Sequence, residues 1–406
     1  MRAAGMMATA AALAGLLAAA AWALRVGCAD YFARQETLEG TGKALGWTPD
    51  QALYHFRLAV LSAEKDPPRS IAALERAVAL NPSDARSWIE LGLRSEADGK
   101  MDRAEQYLLR AAEADRQYLP RWTLVNFYFR RKDAEKFWAW ARMAAEMVYG
   151  DPASLFRLCG QVAESGDLID RIGIARPEVR ASYLAYLMDR APADMILPAA
   201  RKVLEDEREA DVAVLMAACD RLLDGNLPEP AMEIWNRLAV RRRIPLGTVG
   251  GVGPILTNGT FSTAPLSHGF DWRLPAPEGV SASGEESPLG LRLTFSGRQP
   301  ENCEVLAQFV PVREQTAYDL KFVYRTPGIP PGGGLRWRVV DASRGATLAE
   351  AESLSSEQEQ QGIVPFRTPA GCRLVRIALQ YRRTPGTTRI TGFVVLRGVD
   401  LRPQGS

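Results

Sequence analysis

Residues 88–111 read WIELGLRSEADGKMDRAEQYLLRA. The stretch opens with an aromatic residue, continues with Leu91-Gly92, and carries small residues at Ala104 and Ala111. Small residues let two helices approach closely, while a large aromatic side chain fills the groove against a neighbouring unit. The stretch therefore predicts a hairpin of two helices that stacks on further hairpins of the same kind.

The pattern recurs with a period of 34 residues, and a fixed period of this length is typical of a stacked helical array. The repeated positions are Tyr54, Trp88, Trp122 and Phe156, then Leu91-Gly92 and Cys159-Gly160, then Leu74 and Leu108, and finally Ala77, Ala111 and Ala145. Pro82 stands where the second helix of the first unit must stop, because proline cannot continue a helix.

Residues 50–165 resemble the tetratricopeptide repeat (TPR) family, whose pattern is an aromatic residue, Leu-Gly, two small residues and a closing proline. The resemblance implies an α-solenoid that binds protein partners. Three positions depart from the pattern. Arg116 replaces the closing proline of the second unit, Val125-Asn126 replaces Leu-Gly in the third, and Arg142 interrupts an apolar row. An unrelated helical bundle is the alternative interpretation.

Helical periodicity continues in weaker form to residue 240, with Gly225 and Pro228 as signals for helix ends. We therefore predict an α-solenoid of TPR-like hairpins over residues 45–245, whose last two or three units are degenerate. The glycine-rich run that follows lacks the lysine and the preceding buried strand of a phosphate-binding loop. It predicts a flexible linker over residues 246–257.

Beyond the linker the hydrophobic period changes to 2, in short runs divided by glycine and proline. The clearest runs lie at residues 291–295, 305–309, 318–324, 335–339, 374–381 and 390–395. Six to nine strands without an intervening helix predict an antiparallel β-sandwich over residues 258–406.

The order of signals in residues 250–403 is similar to that of the carbohydrate-binding-module-like jelly rolls. Asn258-Gly259-Thr260-Phe261 corresponds to their opening motif, and Gln308-Phe309-Val310-Pro311-Val312 to their middle one. The resemblance implies a jelly roll that faces glycan. Members of that family often hold a calcium ion with an early and a closing acidic residue. Here Ser262 and Arg397-Gly398-Val399-Asp400 stand at those places, so we predict no metal site.

Sugar-binding members of that family stack sugar rings on exposed aromatic residues, and the candidates here are Trp272, Tyr324, Trp337 and Tyr381. Each alternates in phase with apolar neighbours, so burial in the core is the competing interpretation. Cys303 and Cys372 both open strands in a domain that we expect to be exported. Their separation of 69 residues permits a disulfide bond without requiring one.

The N-terminal segment, residues 3–24, carries no charge, and about 20 such residues suffice for a helix to cross a bilayer. We predict a membrane anchor over residues 1–27. A removed signal peptide is the alternative, because Ala21-Trp22-Ala23 offers a small-x-small cleavage site. Arg2 and Arg25 flank the segment, so the charge bias is weak. We expect a single-pass inner-membrane protein with the bulk of its chain in the periplasm.

Composition limits the remaining function classes. A chain of 406 residues is too long for one core and predicts several domains. Fifty basic against 48 acidic residues give a net charge of +2, far from the basic excess of a nucleic-acid-binding protein. Two histidines and five scattered cysteines leave few candidates for a zinc site or a catalytic triad. We predict no enzyme activity, no cofactor and no nucleic-acid partner.

Proteins with this combined layout resemble bacterial components associated with exopolysaccharide or O-antigen assembly. The resemblance implies a non-catalytic envelope scaffold, in which the solenoid binds envelope proteins and the jelly roll faces polysaccharide. A direct glycan-binding protein with the solenoid as a spacer is the alternative. A polysaccharide-active enzyme is a third interpretation, although paired carboxylates in a cleft cannot be read from sequence spacing.

Overall fold

The computed structural model describes residues 2–163, 168–206, 208–251, 255–286 and 289–404. Within these residues, fourteen α-helices precede nine β-strands. The chain divides into two compact units, Met1–Ile174 and Ala175–Ser406. The predicted order of helices followed by an antiparallel β-sandwich is confirmed.

All described secondary-structure elements of the first unit are α-helices. They are α1 (Arg2–Ala33), α2 (Leu38–Trp47), α3 (Ala52–Ser62), α4 (Pro67–Leu80), α5 (Ala85–Ala97), α6 (Met101–Ala114), α7 (Tyr118–Arg131), α8 (Ala134–Met147), α9 (Ala153–Val162) and α10 (Leu168–Ile172). Successive helices pack as the hairpins α1/α2, α3/α4, α5/α6 and α7/α8. Helix α4 ends at Leu80, two residues before Pro82, where the sequence predicts a stop.

Helix α2 begins before the predicted start of the solenoid at residue 45. Its sequence contains three glycines, which weaken the helical signal. Packing explains the first of them, because a Cβ atom at Gly40 would lie 2.6 Å from the main-chain oxygen of Phe32. Thr37 caps the helix by accepting a hydrogen bond from the Gly40 amide. The small residues between α1 and α2 are fully buried, namely Ala29, Ala33 and Ala44.

Helix α1 contains the one candidate membrane span in the described part of the chain, Ala11–Ala33. Its large apolar side chains between Leu13 and Leu24 are 60% exposed or more. The core helix of a soluble protein would bury such side chains, whereas a membrane anchor or a signal sequence offers them to lipid. The predicted span before residue 11 lies outside the residues whose side chains are described.

The second unit begins with two helical hairpins, formed by α11 (Pro177–Arg190), α12 (Ile196–Glu205), α13 (Val212–Asp224) and α14 (Pro228–Val240). Gly225 follows α13 and Pro228 begins α14, in agreement with the sequence signals. Arg201 and Glu233 join α12 to α14 through two hydrogen bonds of 2.6 and 2.7 Å.

The strands of the second unit form two antiparallel sheets. They are β1 (Val280–Glu286), β2 (Leu289–Ser296), β3 (Asn302–Pro311), β4 (Ala317–Arg325), β5 (Leu335–Asp341), β6 (Thr347–Glu350), β7 (Gln360–Arg367), β8 (Leu374–Arg382) and β9 (Thr391–Pro403). One sheet has the order β1-β2-β9-β4-β7 and the other β3-β8-β5-β6. Their facing side chains form one apolar core.

The predicted flexible linker is hydrogen-bonded to helix α14. The Asn236 side chain accepts from the Val249 amide at 2.8 Å and donates to the Val249 oxygen at 3.0 Å. The Trp235 indole donates to the Gly247 oxygen at 3.0 Å. The compact unit that begins at Ala175 contains α11–α14, these residues and the sandwich. Residues 252–254 of the predicted linker lie outside the described residues.

Candidate functional site

The tightest packing of the repeats lies between α5 and α6. A Cβ atom at Gly92 would lie 2.5 Å from the Cδ2 atom of Leu108, so glycine permits the close approach of the two helices. Ala104 on α6 is fully buried. At the corresponding Gly160 on α9, no atom of the described residues lies within 4 Å of such a Cβ position, apart from the backbone of its own helix and its chain neighbours. The Leu-Gly position is therefore closely packed in the second repeat and open in the fourth.

Most of the predicted repeat positions lie inside the hairpins. Buried are Tyr54, Leu74, Ala77, Leu91, Gly92, Ala104, Leu108, Ala111, Ala145 and Phe156. Trp88 and Trp122 are half-buried, while Pro82 and Gly160 are exposed. Trp88 nevertheless has two partners, because its indole donates to the Pro82 oxygen at 2.8 Å and its ring centroid lies 5.8 Å from that of Tyr107. These residues are structural.

The first helices of three successive hairpins, α3, α5 and α7, are joined by side-chain contacts. The Arg86 guanidinium lies 5.4 Å from the centre of the Phe56 ring. Arg130 donates two hydrogen bonds of 2.7 Å to Glu96. Solenoids bind partners on extended concave surfaces. Charged and aromatic side chains of α3, α5 and α7 lie next to one another along the repeats.

Glu105 joins three helices on another side of the repeats. Its carboxylate accepts hydrogen bonds from the Tyr128 hydroxyl of α7 at 2.8 Å and from the Lys136 ammonium of α8 at 2.6 Å. The hydrogen bond from Lys136 holds the pKa of Glu105 below its ordinary value of 4.5. Burial, together with the bond to Glu105, raises the pKa of Tyr128. Glu105 is thus a charged structural group rather than a free one.

The four aromatic residues predicted as glycan contacts lie in the core of the sandwich. Trp272, Trp337 and Tyr381 are 0% exposed, and Tyr324 is 6% exposed. The ring centroid of Trp337 lies 6.0 Å from that of Trp272 and 5.7 Å from that of Phe322. A sugar can stack only on a ring face that solvent reaches. The structure corrects this assignment, which followed from the resemblance to sugar-binding jelly rolls. The competing interpretation is the right one, because the alternation with apolar neighbours marks the inward faces of β4, β5 and β8.

The outer face of the five-stranded sheet carries a cleft of about 720 Å³. Ile363 of β7, Lys321 of β4 and Asp400 of β9 lie side by side in cross-strand register on its floor. Arg402 donates a 2.5 Å hydrogen bond to Asp400. Residues 257–260 form part of the wall. Polar groups beside an exposed apolar side chain can bind a polar ligand such as a sugar.

Three guanidinium groups surround one carboxylate on β1 and its neighbouring strands. Glu285 lies 2.8 Å from Arg397 and 3.8 Å from Arg325. Arg292 completes the group at 4.0 Å. The Phe393 ring lies 3.6 Å from the guanidinium carbon of Arg292 and 5.6 Å from that of Arg325. Positive charge exceeds negative charge among these residues, so this cluster favours anionic groups over cationic ones.

Asp220 connects helix α13 to the segment before β1. Its Oδ1 atom accepts hydrogen bonds from the Gly269 amide at 2.7 Å and from Arg273 at 2.6 Å. Its Oδ2 atom lies 2.5 Å from Nδ1 of His268. The groups lie 48 to 53 positions apart in the chain, and no motif marks them. Sequence reasoning missed this joint for that reason.

The described residues contain no group of three or more His, Cys, Asp or Glu side chains that could hold a metal ion. All five cysteines are free. Cys303 pairs with Tyr381 at one end of the β3/β8 ladder, whereas Cys372 precedes β8 at the other end. Disulfide geometry requires Cα atoms within about 7 Å. Cys303 and Cys372 therefore do not form the disulfide that the sequence left open.

Comparison with known proteins finds no matching family model and no matching curated protein. Solved structures resemble the two kinds of fold separately. A CBM4 structure has 12% identity and a TM-score of 0.29, and covers 37% of this chain and 99% of its own. YrrB, a TPR protein with an unusual peptide-binding site, has 15% identity and a TM-score of 0.26, and covers 51% and 94%. PilF of Pseudomonas aeruginosa has 14% identity and a TM-score of 0.27, and covers 54% and 91%.

Proposed function

We propose that the protein is a non-catalytic, membrane-anchored scaffold of the bacterial envelope, acting in exopolysaccharide or O-antigen assembly or export. The repeats bind envelope proteins, the sandwich faces polysaccharide, and the bulk of the chain lies in the periplasm. The observation that carries the proposal is the continuity of α1. Its exposed apolar half runs without a break into the half that packs on α2, which suits a helix that attaches the repeats to a membrane.

The signal-peptide alternative differs from the anchor in one measurable respect. Cleavage after Ala23 would leave Leu24–Ala33, which includes the buried Ala29 and Ala33, so the hairpin α1/α2 could survive either way. The first residue of the mature protein distinguishes an uncleaved anchor from a removed signal peptide. N-terminal sequencing of the membrane-bound protein should return the uncleaved start of the chain, and a start at Leu24 would remove the anchor from the proposal.

The protein-binding role is tested by chemical crosslinking in membranes followed by affinity recovery. Arg86→Glu should reduce the recovered partners, because it reverses a charge on the surface formed by α3, α5 and α7. Arg110→Glu is the matched control, since Arg110 lies on α6 and pairs with Glu113. Recovery of cytosolic chaperones alone, or an equal effect of both variants, would contradict the proposal.

The topology is tested with reporters fused after Ser406. Alkaline phosphatase should be active there and green fluorescent protein dark, because each reporter works on only one side of the membrane. The reverse result would place the sandwich in the cytosol. It would then remove both the periplasmic localisation and the contact with envelope glycan.

Direct glycan recognition is the second candidate function, and the cleft on the five-stranded sheet supports it. The combined variant Lys321→Ala with Arg402→Ala should lose retention on an acidic polysaccharide gel, because both residues line the cleft. Arg338→Ala is the control, since Arg338 lies on the other sheet and donates to Thr347. The full chain is used, because the sandwich shares its compact unit with α11–α14. Equal retention of all variants would exclude this cleft.

A further inference from the structure

We propose that the turn between α2 and α3, residues 47–53, rests in the headgroup layer of the bilayer that α1 crosses, with Trp47 and Leu53 as its apolar contacts. The inference rests on the anchor in the proposed function. It adds a second, peripheral membrane contact, which would fix the first repeats against the lipid surface.

The α2–α3 turn lies beside the point where the apolar part of α1 ends. Helix α2 runs back along α1 from its cap at Thr37. At the other end of α2, the Nε atom of Arg25 donates to the main-chain oxygen of Trp47 at 2.5 Å. The same guanidinium lies 3.5 Å from the Asp50 carboxylate. The hairpin thus returns the chain to the level of Arg25.

Arg25 marks the position of the membrane surface on α1. The uncharged residues 3–24 span about 33 Å as a helix, close to the bilayer's apolar thickness of about 30 Å. With that segment in the apolar layer, Arg25 lies in the headgroup layer on the side of the repeats. Trp22, one turn earlier, is 66% exposed. Groups in contact with Arg25 must lie at the same depth.

The exposed groups of the α2–α3 turn suit that layer chemically. Trp47 is 43% exposed and Leu53 38% exposed, although both adjoin packed helices. Tryptophan favours the membrane–water interface because its ring is apolar and its N–H group is polar. The turn contains one acidic residue, Asp50, and Arg25 pairs with it. The pairing lowers the cost of bringing this carboxylate to a lipid surface.

Quenching of tryptophan fluorescence measures the proposed contact. The full chain is reconstituted in phosphatidylcholine vesicles whose acyl chains carry bromine close to the headgroups. The proposal places both Trp22 and Trp47 at the depth of the quencher, so Trp47→Phe should reduce the lipid-quenched emission clearly. Trp88→Phe is the control, because Trp88 lies in the next repeat and bonds to Pro82. Its removal should leave the lipid-quenched emission unchanged.

A charge in the turn gives a second readout. Leu53→Glu should raise the quenching of the protein's tryptophan emission by acrylamide, a neutral quencher in the water, because a carboxylate moves the turn out of the lipid surface. Leu93→Glu on α5 is the matched control, since Leu93 is also 38% exposed. It should leave acrylamide quenching as in the unaltered protein.

The outcomes separate the turn contact from the anchor. If Trp47→Phe leaves lipid quenching unchanged, the proposal is overturned. This holds whether acrylamide reaches Trp47 from the water or a second copy of the chain shields it from both quenchers. Vesicle flotation measures the anchor independently. Chains that float without quenching at Trp47 refute the turn contact alone, whereas chains that fail to float refute the anchor and the turn contact together.

Discussion

Glu96 and Arg130 stand 34 residues apart and are joined by two parallel hydrogen bonds of 2.7 Å. That distance along the chain is one repeat period, so the pair links equivalent positions of α5 and α7. Bidentate carboxylate–guanidinium pairs are among the stronger charged contacts. Glu96 is 14% exposed and Arg130 47% exposed at the side chain, so solvent screens this pair only in part.

A double-mutant cycle should detect this contact between repeats. Glu96→Gln and Arg130→Gln should each destabilise the first unit, and the double variant should lose less than the sum. We expect a coupling free energy of about 0.5–1 kcal/mol, typical of a partly exposed pair. Urea unfolding at two salt concentrations measures it, and the coupling should shrink at high salt. Strict additivity would show that the pair contributes nothing.

The two repeat glycines predict opposite effects of alanine. Gly92→Ala should destabilise the first unit by about 1–2 kcal/mol, because its methyl group would meet Leu108 and the gain in helix propensity offsets only part of the strain. Gly160→Ala is the matched change at an open position. It should stabilise α9 by up to about 1 kcal/mol. Thermal unfolding measures the stability of both variants. Equal changes would contradict the close packing at Gly92 and the open position of Gly160.

Glu105 predicts a stability difference that depends on pH. At pH 7, Glu105→Gln should cost about 1 kcal/mol, because the bond from Lys136 loses its charged acceptor. The pKa of Glu105 is lowered in the folded state, so this stabilisation is present above its ordinary value of 4.5. It is lost as the pH falls through the lowered folded-state pKa. Urea unfolding at a series of pH values should show the difference shrink as the pH falls below 4.5, and a difference that stays constant there would contradict this account.

The buried rings predict that Trp337→Ala unfolds the sandwich rather than removing a ligand contact. Truncating a fully buried tryptophan costs about 3–5 kcal/mol, and Trp337 packs on Trp272 and Phe322. Trp337→Phe should cost less, because it keeps part of the ring volume. Circular dichroism and glycan retention are measured together. A folded Trp337→Ala protein that has lost glycan binding would restore this residue as a contact.

Asp220 predicts that one carboxylate stabilises the second unit. Asp220→Ala should cost about 2–3 kcal/mol, because the Gly269 amide and the Arg273 guanidinium lose their common acceptor. Asp224→Ala is the control, since Asp224 lies exposed on the same helix. It should change stability by less than about 0.5 kcal/mol. If the unfolding curves of the two variants coincide, the hydrogen bonds of Asp220 do not contribute to the stability of the second unit.

The parts of the fold that the sequence predicts are those with regular spacing. The 34-residue period depends on side chains that each hairpin must bury, such as Leu74 and Ala111, and so it identifies the hairpins. The alternation in β4 and β5 reflects one buried face per strand, and so it identifies these strands. Strand β8 alternates in sequence as well, but it also buries Ala378 on its second face. Strands β1, β6 and β7 carry polar or glycine-containing sequences at sheet edges, where one-sided burial is weak, and they produce no clear alternation.

The candidate sites were less predictable, because they depend on which face of a regular element meets solvent. Alternation in phase with Leu335 and Val339 indicated that Trp337 is buried, whereas the resemblance to sugar-binding jelly rolls indicated an exposed ring, and the sequence alone left both interpretations open. The cleft at Lys321 and Asp400 arises from cross-strand register between β4 and β9. The Asp220 joint depends on contacts between distant segments. Neither the cleft nor the Asp220 contacts produce a periodic pattern in the sequence.

The unbroken helix α1 also fixes a direction of rotation. An α-helix turns about 100° for each residue, so the face of α1 that packs on α2 has a fixed angular position relative to the exposed apolar side chains of the same helix. One residue inserted between Trp22 and Cys28 would swing the hairpin α1/α2 by about 100° around the helix axis. Seven inserted residues would bring it back to within about 20°. The first repeats therefore keep one fixed orientation, around the helix axis, relative to the exposed apolar face of α1.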